Sequence, residues 1–421
     1  MVAVKPTDLP ERDPVFAEIW CSQLETWISE HGLLGHDRFD VREHPLIRAA
    51  QPHPLLRKVA TAVTDGFPVF SRKMLGIAPQ FNAKAFALVA TGHLRLHQTF
   101  GGKTHLAQAL EHLQWLLEHP STGWHGLCWG YPFDVSARGL STPKYTPVGV
   151  VSAIAGEGFI RAYQITGNKA HLATARSIAE FFLRDLPRFE ATDGTCCFAY
   201  TPTDGRRVHN ASLHAASHLL RVYAETGESE LHDAAWPAVQ FTLARQHEDG
   251  SWPYGEHLDG EPFEAKSLSL VDHHHTGFVL RSLFEIQGLG LHSDEDASIG
   301  LSKAILRGFA FYRKNLFAED GCPVTLAGRY PVDIHACAEG MLCPSLLSAW
   351  QPDALALATR TMYWTSRHLR NPKNGLPYYR QYPGFVSKLH CPRWGLAWIF
   401  LALSEYRAAV HRAENTECSS A

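Results

Sequence analysis

The sequence predicts an all-α protein built as an (α/α)6 toroid, a closed ring of helical hairpins. Three observations carry that reading. Helices restart after a glycine in similar wording at Gly102-Lys103-Thr104-His105-Leu106, Gly167-Asn168-Lys169-Ala170-His171-Leu172 and Gly227-Glu228-Ser229-Glu230-Leu231, with the glycines 65 and 60 residues apart. The second helix of each pair ends in a turn that also repeats, at Gly123-Trp124, Asp193-Gly194, Asp249-Gly250, Asp320-Gly321 and Asn374-Gly375. Finally, the closing helix around Leu396, Trp398, Phe400, Leu401 and Leu403 is apolar on every side, as a helix inside a ring must be. A period near 60 made of two helices and a long loop marks a repeat architecture. An open α-solenoid is the rival, and the all-apolar last helix argues against it.

Residues 1–50 read as an N-terminal helical extension and 51–421 as the toroid. In the extension Asp13-Pro14 is a helix start, with proline at the first helical position, and Trp20, Leu24 and Trp27 follow at helical spacing. A helix over about 54–70 carries Leu55, Val59, Val63 and Phe67 on one face and is expected to supply the sixth outer helix. Hairpins follow as 83–97 with 106–118, 148–163 with 172–183, 211–223 with 231–245, 272–288 with 298–316, and 333–350 with 353–369. A last inner helix spans about 394–410. The Asp-Gly and Asn-Gly turns suit the links because glycine accepts positive φ and the Asx side chain caps its own backbone. Six inner helices are thus expected to start near 82, 147, 210, 272, 335 and 393.

The totals exclude several classes. At 421 residues, 45% apolar and 19% charged, the chain is a globular protein of about one to three domains. A net charge of −3 with no basic run argues against nucleic acid. No apolar run reaches the roughly 20 residues that span a bilayer. Met1 to Pro6 lacks an apolar signal core, so the expected location is cytoplasmic. Nine irregularly spaced cysteines without a C-x-x-C fit neither a zinc ribbon nor a disulfide framework. The distinctive totals are 25 His, 11 Trp and 13 Tyr, numbers that suit a sugar-binding cleft as well as a large core.

If the ring closes, the starts of the inner helices surround one funnel. Four of the six carry histidine: His209-Asn210, Asp272-His273-His274-His275, Asp333-Ile334-His335 and His390-Cys391-Pro392-Arg393-Trp394. Helix starts leave backbone N–H groups unpaired, so residues there can face a ligand. Histidine is poised near neutral pH for acid–base work. Tyr145, His209, Asp272, His274 and His335 are therefore the candidate catalytic residues. Trp129, Tyr131, Asp134, Arg138, Asn210, Trp252, Tyr254, Glu339, Arg393 and Trp394 are candidates for substrate binding, with Lys84 in support. Asn210, Arg138 and Arg393 would neutralise a substrate carboxylate, making the proton alpha to it removable. Each has a structural alternative: Asp272 and Asn210 are good N-caps, and the loop aromatics can simply fill a lid. His273, His274 and His275 point in different directions on a helix, so at most two face a cavity. Asp272, His274, His335 and His390 could converge on zinc, but neither an H-E-x-x-H nor a cysteine pair supports it, and no metal or redox cofactor is expected. Hydrolysis would need a carboxylate pair from Asp134, Glu157, Asp272, Glu339 and Glu256.

The segments Tyr131-Pro132-Phe133-Asp134-Val135, Tyr145-Thr146-Pro147, Tyr200-Thr201-Pro202, His209-Asn210-Ala211-Ser212, Asp249-Gly250-Ser251-Trp252-Pro253-Tyr254-Gly255 and His275-Thr276-Gly277-Phe278 resemble the VpsJ-like polysaccharide-biosynthesis proteins. Those are similar to the C-terminal domain of D-glucuronyl C5-epimerases. The resemblance spans about residues 120–290. It implies an α/α toroid of the six-hairpin glycosidase-like kind acting on a polysaccharide or glycoconjugate. It leaves the reaction open, since such toroids host epimerases, lyases and hydrolases. Gln246-His247-Glu248-Asp249-Gly250-Ser251-Trp252 also resembles the Q-x-x-x-G-x-W repeat of class II terpenoid cyclases, but the D-x-D-D acid motif is missing. Gly126-Leu127-Cys128-Trp129-Gly130 is faintly similar to lanthipeptide cyclases, without their Cys-His-Gly partner. The expectation is an enzyme that epimerises or eliminates on an acidic sugar by proton abstraction. Its substrate would be an oligo- or polysaccharide or a nucleotide- or lipid-linked sugar. A glycoside hydrolase is the second enzymatic reading, and a non-catalytic glycan-binding scaffold is the reading from another class.

Overall fold

The structure, a computed structural model, describes residues 10–137, 140–256, 265–291 and 295–420. Sixteen α-helices occur among them: α1 (Pro14–His31), α2 (Pro45–Ala50), α3 (Pro54–Gly66), α4 (Pro68–Met74), α5 (Ala83–Phe100), α6 (Lys103–Glu118), α7 (Gly149–Thr166), α8 (Lys169–Arg184), α9 (His209–Thr226), α10 (Ser229–Ala244), α11 (Ala265–Leu268), α12 (His273–Gly288), α13 (Glu295–Asn315), α14 (Ile334–Leu347), α15 (Ala354–His368) and α16 (Ala397–Ser420). A π-turn, Pro392–Leu396, leads into α16. Short strand pairs lie in the loops, such as Arg188–Glu190 with Cys196–Phe198 and Arg207–Val208 with Gly255–Glu256. The fold is an all-α toroid of helical hairpins. The expected inner helices begin at 83, 149, 209, 273, 334 and 392, within two residues of their sequence positions. No described helix is long and apolar enough to cross a membrane.

The chain divides into two compact units. In the first (residues 1–106, 132–136 and 317–421), α16 packs between α5 and α14, with α15 against α14 and α1 against α16. In the second (residues 107–131 and 137–316), α9 packs between α7 and α12, and α8, α10 and α13 cover them. Inner and outer helices differ in composition for a physical reason. α7 reads Gly-Val-Val-Ser-Ala-Ile-Ala-Gly and buries almost every residue of its first three turns. α8 buries only the stripe Ala175, Ile178, Ala179, Phe181 and Phe182 and shows water its other face.

The repeated turns are docking points. Gly250, Gly321 and Gly375 have φ of 93°, 83° and 77°, in the left-handed region that only glycine enters cheaply. Each also lies against the next outer helix. A Cβ on Gly250 would come within 2.5 Å of the Arg307 carbonyl of α13, and one on Gly321 within 2.6 Å of the Arg360 backbone of α15. At Gly375 a Cβ would instead meet the Gln23 side chain of α1, 2.6 Å from its Oε1. Thr361 Oγ1 donates to the Gly321 carbonyl and Trp20 Nε1 to that of Gly375, at 3.0 and 2.8 Å. Helix α1 therefore takes the outer place beside α15. The sequence expectation for 54–70 is corrected: α3 and α4 are separate, and their apolar residues stay in water, Leu55 at 72% and Phe67 at 66% exposure. The cyclase-like Gln246-to-Trp252 segment is also a turn lock, with Gln246 Nε2 donating to Gly250 O and Ala304 O and Trp252 Nε1 to Thr242 O.

Buried imidazoles tie inner to outer helices in the second unit. His209 Nδ1 lies 3.2 Å from Thr242 Oγ1 of α10, His218 Nε2 2.8 Å from Ala175 O of α8, and His273 Nδ1 3.1 Å from Tyr312 Oη of α13. Burial favours the neutral ring and lowers His209 and His273 to about 3 and His218 to about 4. Gly156 makes room for His218, since a Cβ there would lie 2.3 Å from the ring.

Two outcomes follow. Gly321→Ala combines backbone strain with overlap on α15 and is expected to cost about 2 kcal/mol or more, whereas Gly194→Ala, at φ 79° in open space, costs only the strain of about 1–2 kcal/mol. Urea unfolding of both variants checks the difference. The three histidines take up protons on unfolding, so their contribution is complete above pH ~6.5 and is lost as pH falls toward 4 and 3, by up to about 1.4 kcal/mol per pH unit each. The thermal midpoint should hold level from pH ~7.5 to about 6.5 and fall steadily from there to pH ~5.

Candidate active site

In the second unit the richest helix start is that of α12. Asp272 is its N-cap, and Oδ1 accepts from the His275 backbone N–H at 3.0 Å. The same carboxylate meets the imidazole of His275, with Oδ2 2.7 Å from Nδ1. Residues three apart on a helix share a face, so one side chain both caps the helix and orients a base. His274 is more distant, with Nδ1 3.6 Å from Asp272 Oδ1, and its ring centre lies 4.2 Å from that of His275. Burial pushes the Asp272 carboxyl up, but His275 and His274, with the bonds from His275, outweigh it and hold the group well below the usual carboxylate range. The ring of Tyr254 sits 4.4 Å from His275. Asn210, Trp252, Tyr254, Asp272, His275 and Thr276 surround one small pocket that is closed to a water-sized group in this conformation. Asn210 Oδ1 is buried there with no hydrogen-bond partner. An unpaired buried acceptor costs about 1–3 kcal/mol, so a ligand hydroxyl or amide reaching it would be rewarded. Asp272, His274 and His275 also hold three metal-ligand atoms within 4.8 Å of one another.

In the first unit a second polar group surrounds the starts of α14 and the π-turn. Asp333 caps α14 by accepting from His335 N at 3.0 Å. Its carboxylate takes Arg380 Nη2 at 2.5 Å, Arg38 Nη1 at 3.4 Å and Trp394 Nε1 at 2.7 Å. Burial raises the Asp333 carboxyl, and the two guanidiniums more than reverse it. His335 is buried between Trp394 and Trp398, at ring distances of 4.3 and 4.8 Å. Lys84 Nζ lies 5.1 Å from the Trp398 ring. Glu339, one turn beyond His335 on α14, is fully buried.

The structure redistributes the sequence candidates. Asp272, Asn210, Trp252 and Tyr254 come together in the α12 cleft, and His335, Glu339 and Trp394 belong to the α14 group. His209 is corrected to a core residue turned toward α10. Trp129 is likewise core, with Nε1 donating to Leu116 O at 3.0 Å and its ring stacked on Phe159. Arg393 is spent on Asp37 in a buried two-bond pair at 2.6 and 2.7 Å, so it does not take the expected role of a substrate-carboxylate partner. Tyr145 is 58% exposed at φ 61° and does not line the α12 cleft; its N–H donates to Tyr131 O, and Ser121 Oγ donates to its carbonyl. Asp134 pairs with Arg48 at 3.1 Å. Glu157 lies against Arg161 and Arg221, and Glu256 against Arg245. His390 bonds the Pro377 carbonyl. Arg138 lies outside the described residues. Sequence reasoning missed His275, although its i+3 spacing from an N-cap aspartate was the available signal. It also missed Arg38 and Arg380, for which no local signal exists.

No family model matches this sequence, and no curated protein matches it. Solved structures do. Cellobiose 2-epimerase from Bacillus thermoamylovorans B4167 superimposes with a TM-score of 0.64 at 10% identity, covering 95% of this chain and 100% of that one. A GH76 alpha-mannanase from Bacteroides thetaiotaomicron gives 0.59 at 13% identity, covering 96% and 100%. A D-mannose isomerase gives 0.55 at 12% identity, covering 78% and 87%. At these identities the likeness is one of fold alone, the α/α toroid of helical hairpins.

Proposed function

We propose that this protein is a carbohydrate-modifying enzyme that moves a proton at a sugar carbon, with His275 as the base. The observation that carries this is the 2.7 Å pair between Asp272 Oδ2 and His275 Nδ1 beneath Tyr254. A carboxylate on Nδ1 fixes the tautomer and stabilises the imidazolium, so proton exchange runs through Nε2. Opening of this pocket would let Asn210 Oδ1 accept from a sugar hydroxyl and would bare the Tyr254 ring. The toroid neighbours include a cellobiose 2-epimerase and a D-mannose isomerase, which favours epimerisation or isomerisation within the class. A hydrolase needs a carboxylic acid still protonated near the working pH, whereas Asp272 and Asp333 are both held low. The substrate class is an oligo- or polysaccharide, or a nucleotide- or lipid-linked sugar. We place the enzyme in a reducing, cytoplasmic setting, where its nine free thiols persist. The catalytic toroid would take in α1 together with residues 51–421.

The test is solvent deuterium incorporation into candidate sugars, followed by NMR. Wild type should introduce one deuteron without cleavage. His275→Gln should lose about 10²–10⁴-fold in kcat, and Asp272→Asn should fall with it, while both keep a cooperative thermal transition. An unsaturated uronate product would redirect the reading to elimination. Full turnover in His275→Gln would overturn it.

A further inference from the structure

A second cluster of titratable side chains lies apart from the helix starts. Glu25 of α1, His93 of α5 and His105 of α6 bring three ligand atoms together within the first unit. His105 Nδ1 is 3.1 Å from Glu25 Oε1, His93 Nδ1 is 3.6 Å from the same oxygen, and the two Nδ1 atoms are 3.4 Å apart. His93 stands ten residues into α5, so about 15 Å separates it from that helix's N-terminus. The proposed chemistry at the inner-helix starts makes no use of this trio.

From these distances we propose that Glu25, His93 and His105 hold a divalent transition-metal ion, with zinc the best match. Four ligands at about 2.0–2.1 Å around tetrahedral zinc lie about 3.3–3.4 Å from one another. The three observed edges bracket that value, so an ion would fit with shifts of a few tenths of an ångström. The donor set, two imidazoles and a carboxylate, is one that zinc prefers, and it leaves a fourth position for water. The surroundings fix the ligands. The Phe400 ring backs His93 at 4.8 Å, and Gly92 leaves the space for it, since a Cβ there would lie 2.8 Å from that ring. His93 is 1% exposed, while the side chains of Glu25 and His105 keep 18% and 26% of their surface in water, which gives an ion a route in. The three ligands come from three helices. A bound ion would therefore join α1 to α5 and to the first turn of α6.

The experiment uses the full chain stripped with chelator, then titrated with Zn²⁺ by calorimetry and with Co²⁺ by visible absorption. One equivalent should bind, Co²⁺ should give the intense d–d bands of a tetrahedral site, and Zn²⁺ should raise the thermal midpoint. His105→Ala and Glu25→Gln change partly exposed ligands and should still fold when metal-free, yet bind at least tenfold more weakly and lose the Zn²⁺-dependent shift. His93→Ala risks the core and is not needed. The proposal fails if the wild type binds less than a tenth of an equivalent. It fails equally if both variants bind as wild type does, or if His275→Gln abolishes binding, which would move the ion to Asp272 and its histidines.

Discussion

An inner helix enclosed by protein on every side can offer polar groups only at its ends or in partnership with a neighbour. That constraint shapes most of this molecule. α14 buries every residue and α7 and α9 bury nearly all of their first three turns, each large apolar side chain contributing about 1.5–3 kcal/mol. Such helices have no exposed face on which to carry a site. Their first turns are different, because the backbone N–H groups there must be satisfied by something other than the helix. Asp272, Asp333 and Asn82 meet that need as caps, accepting from His275, His335 and Lys84. Capping and chemistry therefore draw on the same few residues.

The polar groups that do enter the interior fall into two physical kinds. One kind bonds across the hairpins and holds them together. Arg221 lies between Glu157 and Glu285, and His218 and His273 each bond an outer helix. Breaking one partner of such a set strands a buried charge or dipole, which costs more than the pair contributes. The other kind is poised. Asp272 binds His275 tightly on one side of the ring, and Asn210 keeps an acceptor without a donor in the same cleft. The distinction is one of partners rather than residue type, since His209 and His275 are both histidines at inner-helix starts.

Glycine sets the spacing between repeats. At Gly250, Gly321 and Gly375 a turn with positive φ is pressed onto the following outer helix, so backbone conformation and packing are satisfied by one residue. The bond from Trp20 Nε1 to the Gly375 carbonyl is what assigns α1 its outer place. It also explains why the amphipathic 54–70 stretch is left with its apolar side in water: the position it would have filled is already occupied.

The sequence by itself determined the all-helical hairpin repeat, the inner-helix starts to within two residues, and the wealth of histidine at those starts. These are local properties: apolar periodicity, turn chemistry and capping spacing all act within a few residues. It also singled out Asn210, Trp252, Tyr254 and Asp272, which the structure gathers around one pocket. Only the tertiary structure decided which imidazole Asp272 would hold, that His209 and Trp129 would turn into the core, and that Arg393 would be consumed by Asp37, 356 residues away in sequence. The direction of a side chain on a helix fully surrounded by neighbours depends on which neighbour offers a partner. That information is distributed over distant parts of the chain, and no local pattern contains it.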